Sequence, residues 1–317
     1  MTFAFEPEQL ELRDAFRDLL TRECSPDVAK RSHDPEIWKR LGEMGVLGIR
    51  RELTEVDLVL LLEEAGRALV PGPFLATAAV GIPALLDGGR TEWVEGAASG
   101  DAVLALGLRG GPVAFADVAD LLVLEADGAL HAVSRERVRL EPAPSFSKAR
   151  PTFHVHWEPE ETDRLSGRVD LAFDRAAFAA AAELLGVADR LIQMAATYAT
   201  DREQFGKAIG SFQAVKHLLA DALIRLEFAR PAVYAAAWSL ATDQPDRELA
   251  VSTAKALASE AGTLACRNAL QVHGAIGYTE EHDLHLWLKA GWALSLAYGD
   301  AAWHRARVAT TVLGAPR

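Results

Sequence analysis

The sequence predicts a mainly α-helical protein with a small β domain in the middle of the chain. Half of its 317 residues are apolar, which is enough for a substantial core shared by two or three subdomains. Apolar residues recur at near-helical spacing at the start, short β-type runs follow, and long Ala-rich helical patterns fill the rest. We therefore expect an N-terminal helical domain (residues 1–95), a reduced β domain (96–166) and a C-terminal antiparallel helical bundle (167–317).

The first and second regions carry local signals that define their elements. In the stretch "EPEQLELRDAFRDLLTREC" the apolar positions have near-helical spacing, and Pro71-Gly72-Pro73 interrupts the helical patterns of this region. The middle region consists of short apolar runs separated by Gly, Asp and Pro. Asp127-Gly128 lies between two such runs, and this dipeptide is a strong signal for a two-residue hairpin turn.

The third region predicts four or five long helices joined by short turns, a pattern typical of an antiparallel bundle. Ser211 and Asp246 are the predicted N-caps, because Ser and Asp side chains can accept hydrogen bonds from the free amides at a helix start. Gly274 is a plausible C-cap. The bundle carries more Ala and Leu than one core face requires, which predicts association with another subunit.

Charge and composition exclude several classes of protein. Lys and Arg total 33 against 45 Asp and Glu, and a net charge of −12 argues against a nucleic-acid-binding protein. The first residues lack the basic and apolar regions of a signal peptide. The most apolar stretch, residues 72–86, is too short to span a bilayer and contains Pro83. Cys24 and Cys266 are far apart, so we expect no disulfide framework, a cytoplasmic location and no membrane partner.

Common signatures for nucleotides and metals are absent from the sequence. There is no Walker loop and no GxGxxG between a strand and a helix, which disfavours a Rossmann-type nucleotide site. His282 and His285 lie three residues apart next to Glu281. A structural zinc site requires more ligands, and a helical zinc site of the His-x-x-x-His type requires a spacing of four. We therefore expect no metal site.

The segment "DREQFGKAIGSFQAVKH", residues 201–217, is unusual for a connection between two helices. A plain turn uses small polar residues and glycine. This segment instead places Arg202, Phe205 and Phe212 close to a bend. Two phenylalanines at such a position indicate that something outside the turn covers them.

That segment and "QVHGAIGYTEEHDLHLWLKA", residues 271–290, resemble in order and spacing the two flavin-contacting signatures of the acyl-CoA dehydrogenase family. The helix–β–helix plan is similar to that family along essentially the whole chain. "EEAGRALVPGPFL", residues 63–75, resembles the family's N-terminal domain. The resemblance implies an FAD cofactor, an acyl-CoA thioester desaturated between its α and β carbons, and an electron-transfer flavoprotein as electron acceptor.

The resemblance also implies a set of FAD-contacting residues. In the family, the arginine at the position of Arg202 contacts the FAD pyrophosphate, since a guanidinium fork matches paired phosphate oxygens. Ala275 stands where the family usually has a second glycine. The family makes these contacts to FAD held mainly by a neighbouring subunit. The implied cofactor-binding residues are Arg202, Gln204, Phe205, Phe212, Gln213, Gln271, Gly274 and Ala275.

Other family features are missing from this sequence. The T-E-P-G-A-G-S-D loop, which holds the flavin ring and the thioester, has no counterpart between residues 96 and 166. The family's two positions for the catalytic Glu fall on Tyr298 and Ala176, and its substrate-binding Arg falls on Ala177. Only Asp174 remains of that substrate motif. Tyrosine has a pKa of about 10 and is a poor base at neutral pH, so we predict no catalytic residue in this chain.

This combination resembles the degenerate, non-catalytic subunit of actinobacterial heterotetrameric (α₂β₂) acyl-CoA dehydrogenases of sterol side-chain degradation. The resemblance implies a larger partner subunit that supplies the base and most of the FAD site. One alternative is a scaffold protein derived from the family that no longer binds FAD. Another is a self-sufficient homo-oligomeric dehydrogenase with a relocated acid, such as Asp300 or Glu280.

Overall fold

The computed structural model describes residues 4–314 and has the mainly helical architecture expected from the sequence. Its N-terminal part consists of helices joined by short turns. A π-helical turn, Leu75–Gly81, leads directly into the fifth helix. The helices are α1 (Pro7–Glu23), α2 (Pro26–Ala29), α3 (Pro35–Glu43), α4 (Glu55–Ala68), α5 (Ile82–Asp87) and α6 (Val94–Ser99).

Seven short strands follow and form two sheets. They are β1 (Leu104–Gly107), β2 (Val113–Ala114), β3 (Leu121–Ala126), β4 (Ala129–Ser134), β5 (Arg139–Ala143), β6 (Thr152–His156) and β7 (Arg164–Leu165). One sheet has the order β1-β3-β4-β7 and the other β2-β6-β5, and only the β1–β3 pairing is parallel. The predicted hairpin at Asp127-Gly128 is confirmed: it joins β3 to β4, with φ values of 51° and 72° that suit a type I′ turn.

The C-terminal part is a bundle of long helices. They are α7 (Val169–Asp201), α8 (Gln213–Ala241), α9 (Arg247–His273), α10 (Leu284–Leu296) and α11 (Ala301–Leu313), with a small hairpin of β8 (Glu203–Gln204) and β9 (Lys207–Ala208) between α7 and α8. Across residues 4–314, every helix is too short or too polar to cross a membrane.

The predicted helix caps have different outcomes. Gly274 ends α9 with a φ of 61°, as expected for a C-cap glycine. Asp246 precedes α9, but its side chain makes no capping hydrogen bond. The Ser211 prediction is wrong: Ser211 lies in a 3₁₀ turn, and Phe212 is the residue that precedes α8. The 3₁₀ turn extends the connection by one residue because Phe212 donates its amide to the Ile209 carbonyl.

The crossing of α4 and α7 brings the two helix backbones into direct contact. A Cβ atom at Gly66 of α4 would lie 1.9 Å from the carbonyl oxygen of Glu183. A Cβ atom at Gly186 of α7 would lie 1.8 Å from the carbonyl oxygen of Glu63. Since backbone atoms cannot move aside as a flexible side chain does, both positions require glycine. The crossing thereby fixes where the N-terminal part sits on the bundle.

We predict that Gly66→Ala destabilises the fold by about 3 kcal/mol or more, because overpacking against backbone cannot be relieved by a rotamer change. Gly96→Ala is the matched control, since its Cβ would meet only the Cβ of Ala102 at 3.6 Å. Urea denaturation followed by circular dichroism measures both. Equal midpoints for the two variants would contradict the conclusion that position 66 requires glycine.

Candidate functional site

The unusual turn after α7 is an ordered β-hairpin. Arg202 ends α7, and its carbonyl accepts a hydrogen bond from the Ile209 amide at 2.8 Å. The tip residues Phe205 and Gly206 have φ values of 55° and 76°, the backbone that a type I′ turn requires. The side chain of Phe205 is 92% exposed. The hairpin therefore holds an aromatic ring away from the body of the protein.

The hairpin carries aromatic and hydrogen-bonding groups side by side. The rings of Phe205 and Phe212 meet edge to face, with centroids 6.1 Å apart. The Lys207 ammonium lies 4.5 Å from the Phe212 ring centroid. Gln204 donates from Nε2 to the Glu203 carbonyl at 2.7 Å, and Gln213 is exposed at the start of α8. This surface offers two aromatic rings and exposed amides to whatever covers it.

Arg202 lies in a groove where the two signature segments meet. Its side chain is exposed, and in the described part of the chain no carboxylate lies within 4.0 Å of it. The structure therefore does not show the ion pair with Asp201 or Glu203 that a purely structural arginine would make. The residues that line the groove are Tyr198, Asp201, Arg202, His273, Ala275, Ile276 and Thr279.

His273 lines this groove, and sequence reasoning missed it. Its ring stacks on Tyr198 with centroids 4.4 Å apart. Because Nδ1 donates to the Ala269 carbonyl at 2.8 Å, Nε2 is the unprotonated nitrogen, and this buried atom has no partner. Burial lowers the pKa of His273, which keeps the ring neutral. The available signal was its place immediately before the C-cap Gly274.

The other implied cofactor residues do not line this groove. Gln271 is exposed in the last turn of α9. The backbone of Gly274 is open, since a Cβ placed there would meet nothing within 4 Å. Of the eight implied residues, the structure brings Arg202 and Ala275 into the groove itself. The six residues outside its lining are Gln204, Phe205, Phe212, Gln213, Gln271 and Gly274.

A second concave site lies where the N-terminal helices, the β domain and the bundle converge. This cavity has a volume of about 90 Å³ and shares no residue with the Arg202 groove. Its walls are mainly apolar, with Leu69, Phe74, Leu106 and Leu294 among them. The ionisable groups that line it are Arg31, Arg150, Glu183, Lys289 and Tyr298.

Tyr298 occupies a constrained turn at the edge of this cavity. It has a φ of 54°, an uncommon conformation for a bulky residue, and Gly299 follows with a φ of 96°. The wholly buried Lys255 donates to the carbonyls of Ser295 and Gly299, both at 3.0 Å. Burial raises the pKa of the Tyr298 phenol, so it stays protonated at neutral pH.

Comparison with known proteins identifies the family. The model of the acyl-CoA dehydrogenase C-terminal domain matches residues 168–313, and the model of the N-terminal domain matches residues 6–101. The chain belongs to the acyl-CoA dehydrogenase family. This confirms the resemblance and the fold expected from the sequence.

Individual relatives and solved structures agree with this assignment. The acyl-CoA dehydrogenase IpdE2 of Mycolicibacterium smegmatis is 34% identical over 292 residues, covering 88% of this chain and 90% of that protein. A chain of the ChsE4-ChsE5 complex from Mycobacterium tuberculosis superposes with a TM-score of 0.88 at 24% identity, covering 100% of both chains. A chain of the Tcur3481-Tcur3483 steroid ACAD G363A variant gives a TM-score of 0.85 at 24% identity, covering 96% and 98%. At these identities the two structures show the fold.

The three residues that the resemblance aligns with the family's substrate motif lie in the packed interior. Ala176 and Ala177 are wholly buried and do not line the cavity. Asp174, also wholly buried, accepts hydrogen bonds from Arg247 at 2.8 Å and from Arg307 at 2.7 Å. Each oxygen of the carboxylate is paired with one guanidinium, so Asp174 links α7 to α9 and to α11.

The acids considered as relocated bases are also outside the cavity. Asp300 caps α11 by accepting the Trp303 amide at 2.8 Å, and exposed Glu280 pairs with Lys289 at 2.9 Å. The acid that lines the cavity is Glu183, which sequence reasoning missed. Its signal was a lone acid within the apolar run "AAFAAAAELLG" of α7. Burial raises the pKa of Glu183 to about 7, against the opposing effects of Arg150 and the Leu75 amide.

The histidine that supports the Tyr298 turn predicts a pH dependence. His304 is wholly buried, and its Nε2 donates to the Tyr298 carbonyl at 2.9 Å. Burial lowers its pKa to about 4. Between that value and about 6.5 the unfolded chain binds more protons than the folded one, so stability falls as the pH drops through this window. We expect a loss of about 2 kcal/mol from pH 7 to pH 5 from this residue.

Urea midpoints at pH 7 and pH 5 measure that effect. The His304→Gln variant retains a hydrogen-bond donor but does not titrate, so its midpoint should change less between the two pH values. His154→Gln, which replaces an exposed histidine, serves as control. An identical pH response in His304→Gln and the unmodified protein would contradict the assignment.

Proposed function

We propose that this chain is the non-catalytic subunit of a heteromeric acyl-CoA dehydrogenase and completes the FAD site of a larger catalytic partner. Two observations together support this proposal. The flavin-contacting signature around Arg202 is exposed, and the resemblance places Tyr298 and Ala176 at the family's two positions for the catalytic Glu. A phenol that stays protonated and an alanine cannot remove an α-proton at neutral pH. The base is therefore assigned to the partner subunit.

The groups around the Arg202 groove fit a dinucleotide. A guanidinium without an acidic partner suits the pyrophosphate, and the open backbone at Gly274 permits close approach. When bound, FAD supplies the acceptor for the substrate's β-hydride. Within this chain the proposed contacts are made by Arg202, Gln204, Phe205, Phe212, Gln213, Gln271, Gly274 and Ala275.

The surface of α8 fits a partner subunit. Ile224 is 53% exposed, Phe228 72% and Trp238 39%. With Pro231, also exposed, they follow the spacing of one helix face along the outside of the bundle. A contiguous apolar face of this kind is typical of an interface. The proposed assembly is an α₂β₂ heterotetramer.

The proposal also names a substrate, an electron acceptor and a cellular location. The substrate is an acyl-CoA thioester, and a steroid side-chain ester is the specific candidate, supported by the similarity to the Tcur3481-Tcur3483 steroid ACAD. The proposed electron acceptor is an electron-transfer flavoprotein, and the proposed location is the cytoplasm. The alternative is a scaffold protein derived from the family that no longer binds FAD, and measuring the flavin content of the purified complex distinguishes the two.

Arg202→Ala in the co-purified complex should lower FAD affinity by one to two orders of magnitude, because a charge-assisted hydrogen bond contributes about 1.5–3 kcal/mol. Gln213→Ala should show a smaller loss, since a neutral hydrogen bond contributes less. The control is Arg22→Ala, another exposed arginine, on α1. Flavin absorbance and FAD titration of the purified complexes measure this. Full flavin content at unchanged affinity in Arg202→Ala would reject the shared FAD site.

Introducing charge on the α8 face should separate the subunits. The double variant Ile224→Lys/Phe228→Lys should abolish co-purification with the partner and leave the fold intact, because both side chains are already exposed. Leu313→Lys, which changes an exposed apolar residue on α11, is the control. Analytical ultracentrifugation gives the assembly state, and the unmodified chain alone should form non-native oligomers. A monodisperse, stable monomer of the unmodified chain would refute the proposed interface.

A further inference from the structure

A third concave site lies between α8, α9, the end of α10 and the start of α11, and we call it the α11 pocket. It has a volume of about 440 Å³. It shares no residue with the Arg202 groove or with the cavity around Glu183, so it is a separate site. Among the residues that line it are Arg225, Ser259, Arg267, Ser295, Ala301 and Ala302.

A serine in the wall of the α11 pocket is hydrogen-bonded to a buried lysine amine. The Nζ atom of Lys255 lies 2.9 Å from Oγ of Ser259, one turn further along α9. The same Nζ lies 3.0 Å from the carbonyl oxygens of Ser295 and Gly299. Lys255 is wholly buried, and within residues 4–314 no carboxylate oxygen lies within 4.0 Å of its amine. The amine is therefore surrounded by neutral oxygen atoms.

This environment permits the lysine to act as a base toward the serine. Burial lowers the pKa of Lys255 to about 7, against the opposing effect of Asp300. A neutral amine has two N–H groups and one lone pair. The two N–H groups match the carbonyls of Ser295 and Gly299, which leaves the lone pair for the Ser259 hydroxyl proton. A hydroxyl held beside a neutral base is the arrangement of an activated nucleophile.

The start of α11 supplies hydrogen-bond donors to the same pocket. Ala301 and Ala302 are the first two residues of this helix, and both line the pocket. Asp300 accepts the next two amides, from Trp303 at its side chain and from His304 at its carbonyl. In the described part of the chain the amides of Ala301 and Ala302 have no acceptor. Free amides at a helix start stabilise a negatively charged oxygen.

The charged side chains of the pocket favour a substrate with an acidic group. Glu260 is paired with Arg305, and the Asp300 side chain caps α11. Arg225 and Arg267 are exposed, and within residues 4–314 neither has a carboxylate within 4.0 Å. Two guanidiniums without acidic partners suit a carboxylate on the substrate.

We propose that Ser259 and Lys255 form a nucleophile–base pair that hydrolyses small esters carrying a carboxylate group. The Lys255 amine takes the hydroxyl proton as Oγ of Ser259 bonds to the ester carbonyl carbon. The bond from that carbon to the alcohol oxygen then breaks, and the departing alcohol takes the proton from Lys255. Water attacks the acyl-serine in the same way, which releases the carboxylic acid and returns the proton to Ser259. Water is the only co-reactant.

A fluorophosphonate tests the nucleophile directly in the co-purified complex, since Oγ bonds to phosphorus as fluoride leaves. Trypsin cleaves after Lys255 and Arg267, and Ser259 is the only serine in the resulting peptide, residues 256–267. Mass spectrometry should find the phosphonate on this peptide in the unmodified protein and lose it in Ser259→Ala. Ser239→Ala, which truncates a buried serine of α8 outside the pocket, is the matched control and should leave the modification unchanged.

Lys255→Arg tests the base. Arginine can still donate to the carbonyls of Ser295 and Gly299 but stays protonated, so modification of Ser259 should slow by about 10²-fold. Circular dichroism checks that the variant is folded. The measurement on the unmodified protein does not depend on this variant.

Hydrolysis of two chromogenic esters tests the substrate class. The complex should cleave 3-acetoxy-4-nitrobenzoate with a kcat/KM about tenfold above that for uncharged 4-nitrophenyl acetate, because a charge-assisted contact contributes at least about 1.5 kcal/mol. Arg267→Gln should reduce this preference. Ser259→Ala should lose hydrolysis of both esters and keep the flavin content of the unmodified complex, which separates this activity from the FAD site.

Three outcomes would overturn the proposal. The first is the absence of a phosphonate on residues 256–267 of the unmodified protein. The second is an equal rate of modification in folded Lys255→Arg, and the third is unchanged ester hydrolysis in Ser259→Ala.

Discussion

The backbone contact between α4 and α7 is the constraint on which both sites depend. Gly66 and Gly186 let the helices touch, and this contact fixes the rotation of α7 about its own axis. One side of α7 then directs Glu183 to the cavity, and its end positions Arg202 at the groove. At a rise of about 1.5 Å per residue, the two residues are separated by about 28 Å along one continuous helix. The groove and the cavity are therefore placed by a single rigid element.

The turn between α10 and α11 is held in a strained conformation by hydrogen bonds to its main chain. Tyr298 has an unfavourable left-handed backbone, and such strain persists only where the surroundings determine it. Lys255 holds the Ser295 and Gly299 carbonyls, and His304 holds the Tyr298 carbonyl. All three contacts are to main-chain atoms. These contacts therefore support the conformation of the turn without involving the side chain at position 298.

The sequence predicted the features that depend on local signals. The mainly helical plan follows from periodicity, and the Asp127-Gly128 hairpin follows from turn chemistry. The predicted cap at Ser211 is wrong because α8 begins one residue later than expected. Residue propensities do not locate the start of a helix to within one residue. Glu183 and His273 were missed because their significance is tertiary. The cavity around Glu183 is built from segments that are far apart in the chain. The state of His273 depends on the hydrogen bond that its Nδ1 donates to the Ala269 carbonyl, which leaves Nε2 without a partner.

The acids of α4 and α7 differ in whether they form an ion pair with an arginine of another helix. On α4, Glu63 pairs with Arg230 and Glu64 with Arg17, and on α7 Asp174 binds two arginines. Each of these acids joins secondary-structure elements, and removing one partner would leave an uncompensated buried charge. Glu183 lies on the same helix as Asp174, yet within residues 4–314 it has no cationic partner and faces open space. Glu183 therefore contributes no ion pair to the packing of α7, and burial raises its pKa instead.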